Sequence, residues 1–278
     1  MTTEWTWDET LFADAARYYD AGRLPYSPEL AGAFARSLGL DGAGRLLDVG
    51  CGPGSVALRL AGLFEEVVGL DADTGMIEEA RRLAQERGVG NARFVLGRAE
   101  RLPAGLGRFR VVTFAASFHW MDRSLVAGLV RSMLTPGGAV VHVDDRRDMP
   151  EVAEPTPHPA PPHAEIEELL RSYLGPERRA GQSIRTTSPS GEEAIFRGAG
   201  FEGPDDVVVP DGRILERTTE HIVADTFSRS WAAPHLFGDR QAAFERDLRA
   251  LLLAASPEGL FSVRRADGML HIWRPAGG

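Results

Sequence analysis

The chain has 278 residues, 43% hydrophobic and 26% charged, enough for one enlarged α/β domain or for one domain with a smaller cap. A net charge of −9 lacks the basic excess that displaces counterions from nucleic acid, which points away from nucleic acid and toward small-molecule partners. The opening MTTEWTWDE lacks the flank and apolar core of a signal peptide, no apolar run is long enough to span a bilayer, and Cys51 has no second cysteine to pair with, so the chain suits a reducing cytoplasm.

Residues 1–40 precede the first predicted strand. They hold Tyr18, Tyr19, Arg23 and Tyr26 in a tight cluster, then an amphipathic stretch from Pro28 to Leu38. Clustered tyrosines beside an arginine predict a segment that lies over something.

The most informative run follows: Leu46-Leu47-Asp48-Val49-Gly50-Cys51-Gly52-Pro53-Gly54. Leu46, Leu47 and Val49 read as a buried parallel strand, and Gly50, Gly52 and Gly54 strip side chains from the turn so that a ligand can touch the backbone. A helix is predicted over Ser55–Phe64. A dinucleotide turn needs G-x-G-x-x-G, and Ser55 stands at its third glycine. The turn is instead G-x-G-x-G behind acidic Asp48, a placement that favours an ammonium or sulfonium ligand over a pyrophosphate. Cys51 reads as a small residue in that turn.

LLDVGCGPG resembles the first motif of the class I S-adenosylmethionine (SAM) dependent methyltransferases. The resemblance implies that the backbone of Gly50, Cys51 and Gly52 lines the methionine and ribose part of SAM, and that Asp48 holds its amino end, directly or through water. The N-terminal cluster is similar to the Y…GRPPYP-type entry of small-molecule methyltransferases, with Leu24 where that pattern often has proline. On that reading the segment closes over the cofactor and Arg23 pairs with the methionine carboxylate.

The second strand, Glu66–Leu70, ends at Asp71, about 20 positions after the glycine turn, where a carboxylate can accept both ribose hydroxyls. Dinucleotide enzymes use the same device, so Asp71 gains force only beside Asp48 and the turn. Helix Asp73–Arg87 follows, with Met76 where the resemblance implies an apolar contact to adenine. After strand Ala92–Leu96, the stretch Gly97-Arg98-Ala99-Glu100-Arg101-Leu102-Pro103 resembles the family's G-D-A-E-x-L-P loop. Arg98, which can only donate, replaces the aspartate that accepts from the adenine amino group, so the Ala99 backbone or the Glu100 carboxylate is expected to serve instead.

The fourth strand, Phe109–Ala115, leads into Ala116-Ser117-Phe118-His119-Trp120-Met121-Asp122, where the resemblance places the chemistry. No N-P-P-Y motif is present, which argues against amide and base amino acceptors. His119 is the best-placed general base, with an ordinary pKa of about 6.5, although it could equally orient the acceptor, since methyl transfer can run on proximity alone. Leu134-Thr135-Pro136-Gly137-Gly138 resembles the family's L-x-P-G-G step before the fifth strand, Ala139–Val143. No metal is expected at Asp144 and Asp145, because Ser117-Phe118-His119 stands where a magnesium site needs an aspartate.

A proline-rich connector, Asp148–Pro162, a helix over His163–Leu174 and a polar loop, Gly175–Ser190, read as an inserted lid. Glu192–Ala199 reads as the last flanking helix, with a strand near Val207–Pro210. Helices are predicted over Thr218–Phe237 and Gln241–Ala255, and a final antiparallel strand over Met269–Trp273. Trp231, His235 and Phe237 are candidates to wall the acceptor pocket.

The expected architecture is α/β, a Rossmann-like seven-stranded methyltransferase sheet, mostly parallel with the last strand antiparallel, helices on both faces and an inserted cap. Its parts are an N-terminal cofactor cover (1–40), a SAM-binding core (41–147), a lid (148–190) and a C-terminal completion with a helical insertion (191–278). The implied function is methyl transfer from SAM to a small, partly apolar organic acceptor, releasing S-adenosylhomocysteine. The implied cofactor set is Tyr19, Arg23, Asp48, Gly50, Cys51, Gly52, Gly54, Asp71, Ala72, Met76, Ala99, Glu100 and Ser117. The acceptor set is Tyr18, Tyr26, Phe118, Trp120 and Trp231, with His119 catalytic. The F-H-W segment is also similar to the trans-aconitate methyltransferase group. A SAM-dependent cyclase or isomerase on the same fold, and a non-catalytic SAM-binding module, stand as alternatives.

Overall fold

The computed structural model describes residues 8–144, 155–177, 179–180, 183–184 and 191–277. Asp145, the connector up to Glu154 and most of the predicted loop Gly175–Ser190 lie outside them.

Two helices, α1 (Ala16–Gly22) and α2 (Leu30–Leu38), precede the sheet. The core then alternates: β1 (Arg45–Val49), α3 (Ala57–Leu60), β2 (Glu66–Asp71), α4 (Thr74–Glu86), β3 (Ala92–Leu96), β4 (Phe109–Ala115), α5 (Arg123–Met133) and β5 (Leu134–Asp144). After it come α6 (His163–Leu174), the two-residue strands β6 (Arg179–Ala180) and β7 (Ser183–Ile184), α7 (Glu192–Gly198) and β8 (Phe201–Val209). The remainder is β9 (Ile214–Thr218), α8 (Thr219–Phe227), α9 (Gln241–Ala255), β10 (Leu260–Arg264) and β11 (Gly268–Pro275).

The sheet runs β3-β2-β1-β4-β5-β11-β8. Strands β1 to β5 are parallel, and β11 inserts antiparallel between β5 and β8. This is the expected seven-stranded architecture. The apolar run of β1 is buried because both faces of the strand are covered: Leu46 joins a core with α2, α3 and α4, whereas Leu47 and Val49 join a second core with α5 and α7. Strand order reverses between β1 and β4, and such a switch point opens a crevice at the carboxyl ends of the strands.

Four expectations need correction. The helix predicted over Ser55–Phe64 is only α3, followed by a 3-10 turn at Ala61–Leu63. Strand β8 begins at Phe201 rather than near Val207, paired with β11 along its length; Gly203-Pro204 hid it, and an edge strand tolerates both. The helix predicted over Thr218–Phe237 stops at Phe227, and a 3-10 segment begins at Pro234, which cannot continue a helix. The antiparallel pair β9–β10 was not predicted at all.

The cap has its own apolar core, in which Ile166 and Leu170 of α6 meet Phe227 of α8, Phe244 and Leu248 of α9, and Phe261 of β10. It is drawn from two insertions, one between β5 and α7 and one between β8 and β11. Helix α1 packs on α8, so the N-terminal segment is bound to this cap.

A candidate cofactor cleft at the switch point

The glycine turn is built by β1 ending against its neighbours. Gly50 and Cys51 N–H groups donate to Leu70 O (2.7 and 3.1 Å), and Gly50, Gly52 and Gly54 adopt φ of +69°, +53° and +82°. A Cβ at Gly50 would lie 2.5 Å from Ser117 Cβ, so the turn and the end of β4 approach too closely for any side chain. Ser117 Oγ donates to Val49 O (2.6 Å), tying the two strand ends together.

Asp71, the last residue of β2, faces this turn. Gly52 N–H donates to its Oδ2 (2.8 Å) and Asp73 N–H to its Oδ1 (2.9 Å), while Asp73 caps α4 by accepting from Met76 N–H (2.9 Å). Burial pushes the Asp71 carboxyl up to about 6, against the pull of those two donors.

The structure brings ten of the expected residues to one cleft. Gly50, Gly52, Asp71, Ala72, Met76, Ala99, Glu100, Ser117, Tyr19 and Trp120 all line it. Phe12, Arg98 and Met121 line it too, unanticipated in those roles. Met121 directly follows Trp120, a legible signal; Phe12 carried none, and reaches the cleft by setting its ring edge-on to Trp120 (6.0 Å, 84°).

The other expected residues sit elsewhere. Asp48 is beneath the turn, 1% exposed, accepting from Thr113 Oγ1 (2.8 Å) and from Ala57 N–H (3.2 Å) at the start of α3. It pins the turn to the sheet and helix instead of facing the cleft. Cys51 and Gly54 are buried behind the turn. Arg23 donates from Nη2 to Ser228 O in the cap (3.0 Å) and lies over the Tyr19 ring (4.9 Å). Tyr18 packs on Phe227 of the cap (5.1 Å, tilted by 35°), and Tyr26 packs against the core around α2. Phe118 is 2% exposed and turned into the core beside Phe114 and Phe196. Trp231 lines a separate cap cavity of about 360 Å³, together with His163, Ile166 and Ile222. His119, beside Trp120 (ring centroids 4.7 Å), does not line the cleft.

Near His119, the Glu192 carboxylate is tied down. His142 Nδ1 lies 2.8 Å from Glu192 Oε2. Burial opposes ionisation of Glu192, but this bond and the charges of His142, His119 and Arg123 hold its pKa below the usual carboxylate range. On the cleft side, Glu100 Oε1 accepts from Asp122 N–H (3.0 Å), and Ala99 O accepts from Leu102 N–H (3.1 Å). Among the described residues no group of three or more His, Cys, Asp or Glu is arranged to hold a metal, and no helix is long and apolar enough to cross a membrane.

Asp48 has a thermodynamic signature. Burial pushes its carboxyl up to about 7, whereas an unfolded chain ionises it near its ordinary 3.8. Between these values the folded state holds the extra proton, so stability falls as pH rises from about 4 to about 7, by up to about 1.4 kcal/mol per pH unit, and levels off above. Urea melts of wild type and Asp48→Asn across that range should show a slope in wild type that is reduced in the variant. Parallel pH profiles would refute this account of Asp48.

The strand order, with a glycine turn and the Asp71 carboxylate at its switch point, is that of the class I SAM-dependent methyltransferase fold. Residues 46–138 match the methyltransferase domain family. YcgJ of Bacillus subtilis, an uncharacterized methyltransferase, is 33% identical over 138 residues, 49% of this chain and 54% of that protein. Its crystal structure superposes with a TM-score of 0.50 at 23% identity, covering 89% of this chain and 98% of that one. The 2-heptyl-1-hydroxyquinolin-4(1H)-one methyltransferase of Mycobacteroides abscessus is 32% identical over 134 residues, 47% of this chain and 58% of that protein. The [4+2]-cyclase SpnF shares the fold, with a TM-score of 0.52 at 22% identity over 92% of this chain and 85% of that one. The chain spans little more than half the length of these two curated relatives.

Proposed function

We propose that the chain binds SAM in this cleft and methylates a small, partly apolar organic acceptor, with S-adenosylhomocysteine as the second product. The observation that carries the reading is Asp71, a carboxylate fixed by Gly52 and Asp73 N–H groups at the end of β2, in a cleft it shares with Gly50 and Gly52. Its oxygens suit a vicinal diol, and a Cβ at Gly52 would meet no protein atom within 4 Å, so the space beside that backbone is open to a ligand. When bound, SAM supplies an electrophilic methyl group; the protein's part is to hold the two reactants in line and exclude water.

An aromatic wall of Phe12 and Trp120 beside Met121 favours an acceptor with an apolar face, in keeping with the quinolone substrate in the name of the mycobacterial relative. The net charge of −9 favours a small molecule over nucleic acid. Calorimetric titration with SAM, S-adenosylhomocysteine and NAD tests the cofactor reading: binding of both adenosyl ligands and not NAD supports it, and binding of neither adenosyl ligand overturns it.

His119, packed on Trp120 and off the cleft, is proposed to orient that wall instead of moving a proton. His119→Ala should keep S-adenosylhomocysteine affinity within about twofold and lower turnover by less than about tenfold. A loss of about 100-fold or more, the range of general-base catalysis, would make it the base.

A second reading is a cyclase or isomerase on the same fold, which the likeness to SpnF keeps in play because fold alone does not set the reaction. Formation of S-adenosylhomocysteine in step with conversion of an acceptor separates the two.

A further inference from the structure

Helix α1 covers the cofactor cleft through Tyr19, yet its anchoring comes from the cap. Tyr18, one residue earlier and about 100° around the helix, packs on Phe227 of α8 with its ring tilted by 35°. At Gly22 the two helices touch backbone to backbone: a Cβ there would lie 2.4 Å from both Ala224 C and Asp225 N. Arg23 adds a bond to Ser228 O (3.0 Å). Toward the sheet α1 has the Arg87–Asp20 ion pair (2.8 Å), which is solvent-exposed and correspondingly weak.

At the centre of the cap contact is Arg217, on β9 and only 7% exposed. Its Nη2 donates to Ala21 O (3.0 Å) and to Gly22 O, the last carbonyls of α1, across 195 residues of sequence. Its Nε is buried with no hydrogen-bond partner among the described residues, and burial pushes its pKa down, offset by the charge of Asp225. A guanidinium placed this expensively is compensated by what it holds, the partially negative carbonyl end of a helix.

We propose that Arg217 is a positioning residue for the cofactor cleft: from the cap it clamps the C-terminal end of α1 on α8 and so sets Tyr19 at the cleft wall. The inference rests on the reading of that cleft as the SAM site. It makes cap and cofactor cleft one energetic unit, in which the helix closing over the cofactor is held by residues remote from the sheet.

The test is Arg217→Met, which keeps the stem and removes the donors, with Arg217→Lys as a partial rescue and Arg249→Ala, a half-buried cap arginine paired with Glu220 and Glu245, as control. Titration with S-adenosylhomocysteine well below each melting midpoint should show at least tenfold weaker binding for Arg217→Met, an intermediate value for Arg217→Lys and no change for Arg249→Ala. Tyr19→Ala should add little on top of Arg217→Met, because both remove the same wall. A merely structural arginine would lower the melting midpoint and leave the affinity of the folded protein alone. Affinity within twofold of wild type in Arg217→Met, or full additivity with Tyr19→Ala, overturns the proposal. Amide hydrogen exchange without any ligand provides an independent arm: residues 19–23 should exchange at least tenfold faster in Arg217→Met while α4 is unchanged. If wild type fails to bind S-adenosylhomocysteine, the cofactor reading falls; unchanged exchange in α1 refutes the clamp itself.

Discussion

Replacing Asp71 with alanine is expected to remove S-adenosylhomocysteine binding, lowering affinity at least about 100-fold. Hydrogen bonds to an ionised acceptor contribute about 1.5–3 kcal/mol each, and two hydroxyl donors would be lost together. The variant also frees the Gly52 and Asp73 N–H groups that the carboxylate now holds, so the turn loses its anchor as well as the cleft its acceptor. The same carboxylate sets a pH dependence. Its pKa in the free protein is about 6, and only the ionised form accepts both hydroxyls, so affinity should be flat above about pH 7 and fall by up to about tenfold per pH unit below about 6. Asp71→Asn should flatten that fall. Equal affinities at pH 5 and pH 7.5 in wild type would show that Asp71 is not the acceptor.

Gly50→Val is expected to be the most damaging change in the turn. The residue has φ of +69° and its Cβ would sit 2.5 Å from Ser117 Cβ, so left-handed strain and overpacking combine to about 3 kcal/mol or more. The melting midpoint should drop steeply, and what remains folded should bind no adenosyl ligand. Gly52→Ala makes the informative contrast. Its φ of +53° costs about 1–2 kcal/mol, but no protein atom lies within 4 Å of the new methyl group. That methyl group would project into the cleft, so the variant should melt only a few degrees below wild type while binding is lost. A Gly52→Ala protein that binds S-adenosylhomocysteine normally would mean the ligand does not run along this backbone.

The contrast between these glycines marks where sequence reading stops. Both are visible as the G-x-G-x-G turn, but which one meets protein and which one meets open space depends on Ser117, more than 60 residues away. Asp48 shows the same limit. Its acidity and its place before the turn were legible and suggested a ligand contact, yet Thr113 from the next strand and Ala57 from the following helix enclose it. In Phe118-His119-Trp120 the 3-10 turn at those three residues decides the outcome: Phe118 enters the core, Trp120 reaches the cleft and His119 lies beside it. No periodicity in three residues announces that rotation.

What the sequence by itself determined is the local grammar of the sheet. Parallel strands buried on both faces must be continuous apolar runs, turns that touch a ligand must shed side chains, and a carboxylate ending β2 must face the crevice, so β1 to β5, the glycine turn and Asp71 could be read without coordinates. The tertiary structure alone decided the cap and its hold on the cleft. Strands β9 and β10 pair across more than 40 residues, Gly22 is required by a backbone on α8, and Arg217 reaches the end of α1 across 195 residues. Such contacts leave no short-range pattern, because the partner that gives each residue its role is brought to it only by the fold.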